Sequence, residues 1–71
     1  MTNDEADTTR GWVFVDEDTG DEVGFAAPTG TAEDQMHGFS REYGSHFLVY
    51  FRDSNGKLNP CGAEERPEDF D

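Results

Sequence analysis

Carboxylates are the most concentrated chemical groups in this sequence. Five acidic residues fall within one stretch of seven positions, Asp16-Glu17-Asp18-Thr19-Gly20-Asp21-Glu22. Such a stretch can attract a divalent cation or a positively charged surface, because it concentrates negative charge. A polar stretch with a glycine between two apolar runs is typical of a turn. We expect these side chains at the tip of a hairpin, as solvated carboxylates and not as an ordered metal site.

The histidines and the cysteine do not form a pattern typical of catalysis. His37 and His46 fall on different predicted elements, and neither lies in a local arrangement with Cys61 or a serine that would activate a nucleophile. The spacing of these three residues matches no common zinc site, and the sequence contains no glycine-rich phosphate loop and no Cys-x-x-Cys pair. We therefore predict no catalytic residue, no metal ligand and no cofactor, and a protein that is not an enzyme.

A second polar segment imitates the middle of a calcium-binding loop. It reads Asp53-Ser54-Asn55-Gly56-Lys57-Leu58. Aligned with an EF-hand loop, it places Phe51 at the first ligand position and Gly62 at the twelfth, where a carboxylate is required. The segment therefore fails as a calcium site. Its Asn-Gly pair instead predicts a hairpin with a type I′ turn.

Four strands and one helix must position these residues. Runs rich in aromatic and β-branched residues at 10–15 and 21–26 predict one hairpin, and the runs at 46–52 and 57–59 predict another, which Pro60 ends. Between them, Thr31 and Asp34 form an approximate capping box and Gly44 gives a stop signal. One helix face carries Ala32, Met36, Phe39 and Tyr43.

The predicted fold class is α+β, with element order ββαββ. The simplest arrangement is a small four-stranded antiparallel sheet with one helix packed on one face. Composition divides the chain into a disordered acidic arm at 1–9, a single folded domain at 10–61 and an acidic tail at 62–71.

Net charge indicates which partners this chain can bind. Its 71 residues carry 17 acidic and 5 basic side chains, a formal charge of −12. Direct binding to nucleic acid or to an anionic membrane is disfavoured, because that affinity comes from lysine and arginine. The single cysteine excludes an internal disulfide, which indicates a reducing compartment; an intermolecular bridge through Cys61 is the alternative. No apolar run approaches the length of a membrane span, and the acidic N-terminus is unlike a secretory signal. We expect a cytoplasmic protein.

The acidic turn is the best candidate for a protein-binding site. A rigid array of carboxylates can stand in for phosphates and dock on a basic, nucleic-acid-binding surface of another protein. The predicted binding residues are Asp16, Glu17, Asp18, Asp21, Glu22, Glu33 and Asp34. In size and acidity, but in no sequence motif, the chain is similar to DNA-mimic inhibitors of the anti-CRISPR and anti-restriction type, and we expect an inhibitor that docks in this way. The alternative is a small, homodimeric, salt-adapted cellular protein whose acidity serves solubility alone.

Aromatic residues predict a second binding surface. One helix can cover only one face of the sheet, so some aromatic side chains must point away from it. An uncovered apolar patch usually marks an interface, and a homodimer through the sheet would add the missing core. The predicted dimer or partner face comprises Trp12, Phe14, Leu48 and Tyr50.

Overall fold

The computed structural model describes residues 10–70, so the expected arm at 1–9 lies outside the described residues. In chain order the elements are strand β1 (Gly11–Asp16), strand β2 (Glu22–Ala26), helix α1 (Ala32–Tyr43), strand β3 (Phe47–Arg52), strand β4 (Leu58–Pro60) and a 3₁₀ turn (Pro67–Asp69). The strands form one antiparallel sheet in the order β2-β1-β3-β4. The predicted α+β fold is confirmed.

The register between β1 and β3 decides which side chains face the helix. Trp12 lies opposite Phe51, and Phe14 lies opposite Val49. Directly opposed residues of an antiparallel pair share a face of the sheet. These four side chains therefore lie on the α1 side, where they form the core together with the buried Ala32.

Helix α1 begins and ends where the sequence predicts. The Thr31 hydroxyl accepts a hydrogen bond from the Asp34 amide at 3.2 Å, and the Asp34 carboxylate accepts one from the Thr31 amide at 3.4 Å. This reciprocal box satisfies donors that the first helical turn leaves unpaired. At the other end Gly44 adopts a φ of 103° and donates its N–H to the Ser40 carbonyl.

An aromatic stack joins the helix to β1 and β2. The rings of Phe14 and Phe39 lie nearly parallel with centroids 4.3 Å apart, and Phe47 meets Phe39 edge-on at 5.0 Å. Gly24 of β2 lies beneath this stack. A Cβ atom on Gly24 would come within 2.5 Å of Cε1 of Phe39. The absence of a side chain at Gly24 therefore allows Phe39 of the helix to pack closely on β2.

The β3–β4 hairpin corrects the expected turn type. A type I′ turn needs positive φ at both central residues, but only Gly56, with a φ of 84°, is positive in this loop. The Gly56 amide donates to the Asp53 carbonyl at 2.9 Å. The Asp53 carboxylate accepts hydrogen bonds from the amides of Asn55 and Lys57, at 2.9 and 3.0 Å. These bonds favour a type I turn followed by a left-handed glycine.

The C-terminal segment, residues 62–70, is part of the folded body and not the tail that composition predicts. Its Glu65 and Ala63 carbonyls accept hydrogen bonds from the first two amides of α1, at 3.0 and 2.9 Å. Pro67 is buried, and the Phe70 ring stacks on Phe51 with centroids 4.9 Å apart. The segment thus caps the helix and closes one side of the core, so the ordered domain continues nine residues beyond the expected boundary at Cys61.

Candidate protein-binding surfaces

Hydrogen bonds to one carboxylate fix the backbone of the acidic turn, residues 16–22. Oδ1 of Asp16 accepts from the amides of Asp18 and Thr19, at 2.8 and 3.0 Å, and the hydroxyl of Tyr43 donates to Oδ2. The Tyr43 hydrogen bond, followed by the two amides, lowers the pKa of Asp16 below its usual value. Gly20 takes a φ of 80° and donates to the Asp16 carbonyl at 2.8 Å. These hydrogen bonds give the acidic turn a fixed backbone conformation.

The five carboxylates of the acidic turn divide into anchored and available groups. Asp16 holds the turn, and Glu22 pairs with the buried guanidinium of Arg52 at 3.4 Å. Glu17 lies 3.5 Å from Nδ1 of His46 and remains exposed. Within residues 10–70, no hydrogen bond or ion pair engages the carboxylates of Asp18 and Asp21. Three of the five side chains are thus open to a partner.

The tyrosine at the end of α1 is joined to the acidic turn by its hydrogen bond to Asp16. The pKa of Tyr43 is raised, first by its hydrogen bond to Asp16, then by desolvation, and then by the charges of Asp16, Asp18 and Asp21. Ionising the phenol would add another negative charge to this group. The hydrogen bond to Asp16 is the largest of these causes, so the shift reflects mainly the contact between the end of α1 and the acidic turn.

The structure does not bring Glu33 and Asp34 to the acidic turn. They lie in the first turn of α1, whereas Tyr43, which contacts the turn, lies at its last residue. Tyr43 lies nine positions after Asp34, which is about 14 Å along the helix at 1.5 Å per residue. Asp34 belongs to the capping box, and Glu33 lies 3.9 Å from His37. The acidic residues therefore form two groups at opposite ends of the helix.

The second predicted surface also divides. Trp12 and Phe14 are 0% and 2% exposed beneath α1, whereas Leu48 and Tyr50 lie on the opposite face of the sheet. The expectation of one face containing all four residues is corrected, because strand alternation places the β1 pair and the β3 pair on different sides. Trp12 also donates its indole N–H to the Thr29 carbonyl at 3.0 Å, which holds its ring in the core.

The sheet face opposite α1, called here the open face, carries exposed apolar side chains. Phe25, Leu48 and Leu58 are 43%, 48% and 41% exposed. Arg52 extends from β3 towards Glu22 on β2, with its guanidinium 5.7 Å from the centre of the Phe25 ring. Since β1 lies between β2 and β3, this ion pair crosses the middle of the open face. Among residues 10–70, no helix packs on this side.

A groove follows the edge of β3 beyond the end of β4. β4 pairs only with Tyr50, Phe51 and Arg52, so the first half of β3 has no strand partner on that side within the described chain. Two neighbouring cavities of about 280 and 180 Å³ lie there. Both fall below the 300–1,000 Å³ typical of small-molecule pockets. Together they form the edge groove, lined by Met36, His37, Ser40, Ser45, Phe47, Leu48, Val49, Tyr50, Pro60 and Cys61.

The thiol in the edge groove is not activated. Cys61 donates to the Val49 carbonyl at 3.4 Å, and burial, with a smaller effect from the charge of Glu65, raises the pKa of the thiol to about 11. His37 lines the smaller cavity and Cys61 the larger, while His46 lies beside the acidic turn. Across residues 10–70, no group of three or more His, Cys, Asp or Glu side chains is arranged to hold a metal ion.

The sequence reasoning missed the groove, although one signal for it was present. Pro60 ends β4 after three residues, whereas β3 has six. A long strand beside a short one must leave part of its edge without a partner. The position of Met36 over that edge depends on helix packing, which no local pattern reveals.

Comparison with protein-family models, with curated proteins and with solved structures found no match. In the part of the chain from residue 10 to residue 70, no helix has the length and apolar character needed to cross a membrane.

Proposed function

We propose that this chain is a small, non-enzymatic protein-binding module that docks on a basic protein surface. The more specific form of the proposal is an inhibitor that occupies the nucleic-acid-binding surface of its partner as a DNA mimic. The observation that carries the proposal is the acidic turn, in which a fixed backbone presents Glu17, Asp18 and Asp21 to solvent. A preorganised charge array loses less conformational entropy on binding than a flexible one.

The distribution of basic residues also supports a basic partner. The described chain contains 13 acidic and 5 basic side chains. One of those bases, Arg52, is buried and engaged by Glu22. The field outside the molecule is therefore negative, which speeds association with a positive surface and repels nucleic acid.

The available cavities favour binding over catalysis. The larger has a volume of about 280 Å³ and contains a thiol whose pKa is shifted away from that of a nucleophile. Neither cavity collects both histidines. The free thiol of Cys61 agrees with a reducing compartment, and we propose that the partner is cytoplasmic.

The test compares two variants with the same net charge. The turn variant carries Glu17→Gln, Asp18→Asn and Asp21→Asn, and it leaves Asp16 and Glu22 in place because they hold the fold. The control variant neutralises three exposed carboxylates elsewhere, with Glu42→Gln, Glu64→Gln and Glu68→Gln. Each change removes three negative charges, so only their position differs.

The assay is affinity capture from native lysate of the source cells at matched salt, with duplex DNA as a competitor. We expect the wild type and the control variant to retain a basic nucleic-acid-binding protein that DNA displaces, and the turn variant to lose it. Equal retention by both variants would contradict the role of the turn. Capture that DNA does not displace would contradict mimicry. If nothing is captured and the melting temperature rises steeply up to molar KCl, the salt-adapted alternative is supported.

A further inference from the structure

We propose that the edge groove binds an extended peptide segment of the partner, with apolar residues at its centre and lysine or arginine at both ends. The segment would add as a strand along the first half of β3. This inference rests on the proposed protein-binding function and specifies one contact within it. It follows from the backbone of β3, the lining of the groove and the charges at its two ends.

The backbone of β3 presents hydrogen-bonding groups towards the groove. The Phe51 carbonyl accepts from the side chain of Asn59 at 3.1 Å, and the Val49 carbonyl accepts from the thiol of Cys61 at 3.4 Å. Both carbonyls therefore point to the β4 side. Alternate residues of a strand direct their backbone groups to the same side, so the N–H and C=O of Phe47 also point there. No strand among residues 10–70 pairs with Phe47 on that side.

An edge of this kind is a template for strand addition, in which main-chain hydrogen bonds give affinity and side-chain pockets give specificity. The groove offers such pockets on both sides of an added strand. Met36, Phe47 and Val49 line it on the helix side, while Leu48 and Tyr50 belong to the open face. Alternate apolar side chains of the peptide can therefore find apolar contacts on either face.

Carboxylates at both ends of the groove favour a peptide with basic ends. At the Phe47 end, Asp16 lies opposite Phe47 across the β1–β3 pair, and Glu17 lies 3.5 Å from His46. A strand added outside β3 lies about 10 Å from β1, two strand spacings away. That distance is comparable with the Debye length at 0.1 M salt, so the attraction is only partly screened. At the other end, the Glu65 carboxylate accepts a hydrogen bond from the Gly62 amide at 2.9 Å, next to Cys61.

Charge also favours a basic peptide over a second copy of this chain as the strand that adds to the open edge of β3. A second copy of this chain would bring a further net charge of −12 to the same place and repel the first. A basic peptide is attracted instead. Pairing of β3 with β3 of a second copy is therefore the competing outcome of the test.

The probe is a short synthetic peptide in which valine alternates with threonine between pairs of lysines. One control peptide has proline in place of the central residue, which removes an N–H from the ladder. Another has glutamates in place of the lysines. Affinity is measured by isothermal titration calorimetry, and hydrogen exchange of individual amides is followed by NMR.

We expect saturable binding of the lysine peptide, about tenfold weaker binding of the proline peptide, and weaker binding still of the glutamate peptide at low salt. Exchange of the Phe47 amide should slow at least about tenfold on binding. The Leu48 amide, which faces β1, should change little. Equal binding of the proline peptide, or protection that does not include Phe47, would overturn the inference. Concentration-dependent protection of Phe47 without peptide would overturn it in favour of a second copy.

A pair of protein variants separates this inference from the proposed function. Met36→Lys places a positive charge in the groove, whereas Gly38→Lys places the same charge at an exposed helical position where a Cβ atom would meet no heavy atom within 4 Å. Met36→Lys should weaken the lysine peptide about tenfold and Gly38→Lys should not. If the natural partner is retained by Met36→Lys but lost by the turn variant, the groove inference fails and the proposed function stands.

Discussion

Two glycine-to-alanine substitutions in the same chain should change stability in opposite directions. Gly24 lies beneath the aromatic stack, where a new Cβ would approach Cε1 and Cζ of Phe39 to 2.5 and 2.9 Å and Cδ2 of Phe14 to 3.2 Å. Favourable carbon–carbon contacts lie near 3.5–4.0 Å, so the Phe39 ring must retreat by about 1 Å. It cannot do so freely, because it stacks on Phe14 at 4.3 Å and on Tyr43 at 5.2 Å.

The expected magnitudes follow from these contacts. Overpacking of this kind costs about 1–3 kcal/mol, and alanine regains a few tenths of a kcal/mol by restricting the unfolded chain. We expect Gly24→Ala to lower the free energy of unfolding by about 1–2 kcal/mol, or the melting temperature by roughly 10 °C. Gly38 is exposed in the helix interior and a Cβ there meets no atom within 4 Å. Gly38→Ala should therefore raise the free energy of unfolding by about 0.5–1 kcal/mol.

Urea unfolding monitored by the fluorescence of the buried Trp12 measures both effects, and molar KCl in every sample screens the net charge. The double variant Gly24→Ala/Phe39→Leu provides a further check, since a smaller side chain at position 39 should recover part of the loss. If the Gly24→Ala and Gly38→Ala proteins had the same free energy of unfolding, the close packing of Phe39 on Gly24 would be refuted. A double variant whose loss is simply the sum of the two single losses would also refute it.

Three further predictions concern the thiol, the acidic turn and the C-terminal segment. Because the pKa of Cys61 is raised from 9.0 to about 11, alkylation of this thiol near pH 8 should be about 100-fold slower than alkylation of an ordinary thiol. The rate should increase with pH up to about pH 11. A rate like that of a fully exposed thiol would contradict this prediction. Tyr43→Phe should raise the pKa of Asp16 towards 3.8 in an NMR titration. A carboxylate whose pKa is lowered in the folded state stabilises the fold above its unfolded pKa, and this stability is lost as pH falls through the folded pKa. The Tyr43→Phe variant should therefore lose less stability than the wild type on acidification. Identical dependence of stability on pH in the two proteins would count against the hydrogen bond. Phe70→Ala should lower the free energy of unfolding by about 2 kcal/mol, whereas Glu68→Ala should change it by less than about 0.5 kcal/mol; equal effects would show that the segment is a tail.

Local signals were enough to predict the four strands and the helix of this fold. The capping box of Thr31 and Asp34, the stop at Gly44 and the hairpin glycines all act within a few residues, so their physical chemistry is visible in the sequence. The alternation of side chains along β1 and along β3 is also a local property. What it could not supply is the pairing of one strand with the other. Until Trp12 is known to lie opposite Phe51, alternation leaves open which side chains of β1 lie under the helix.

The C-terminal segment shows a second limit of composition. Residues 62–70 contain four acidic residues and few apolar ones, which predicts a solvated tail. Their order depends instead on long-range contacts of three kinds: two carbonyls that accept hydrogen bonds from the start of α1, the buried ring of Pro67, and the stacking of Phe70 on Phe51. The available signal was Phe70, a single aromatic residue near the end of a polar segment. Its packing can be recognised only when the structure shows that the Phe51 ring is accessible to it.

The structure separates the acidic residues that hold the fold from those that are available to bind a partner. Salt adaptation depends on the number of carboxylates at the surface, whereas docking on a partner depends on where they lie. Asp16 and Glu22 hold the fold, so replacing the whole turn would confuse a loss of binding with a loss of structure. Asp18 and Asp21 carry no such role among the described residues. The turn variant and the control variant lose the same charge at different positions. Docking therefore predicts that they bind the partner differently, whereas salt adaptation predicts that they behave alike.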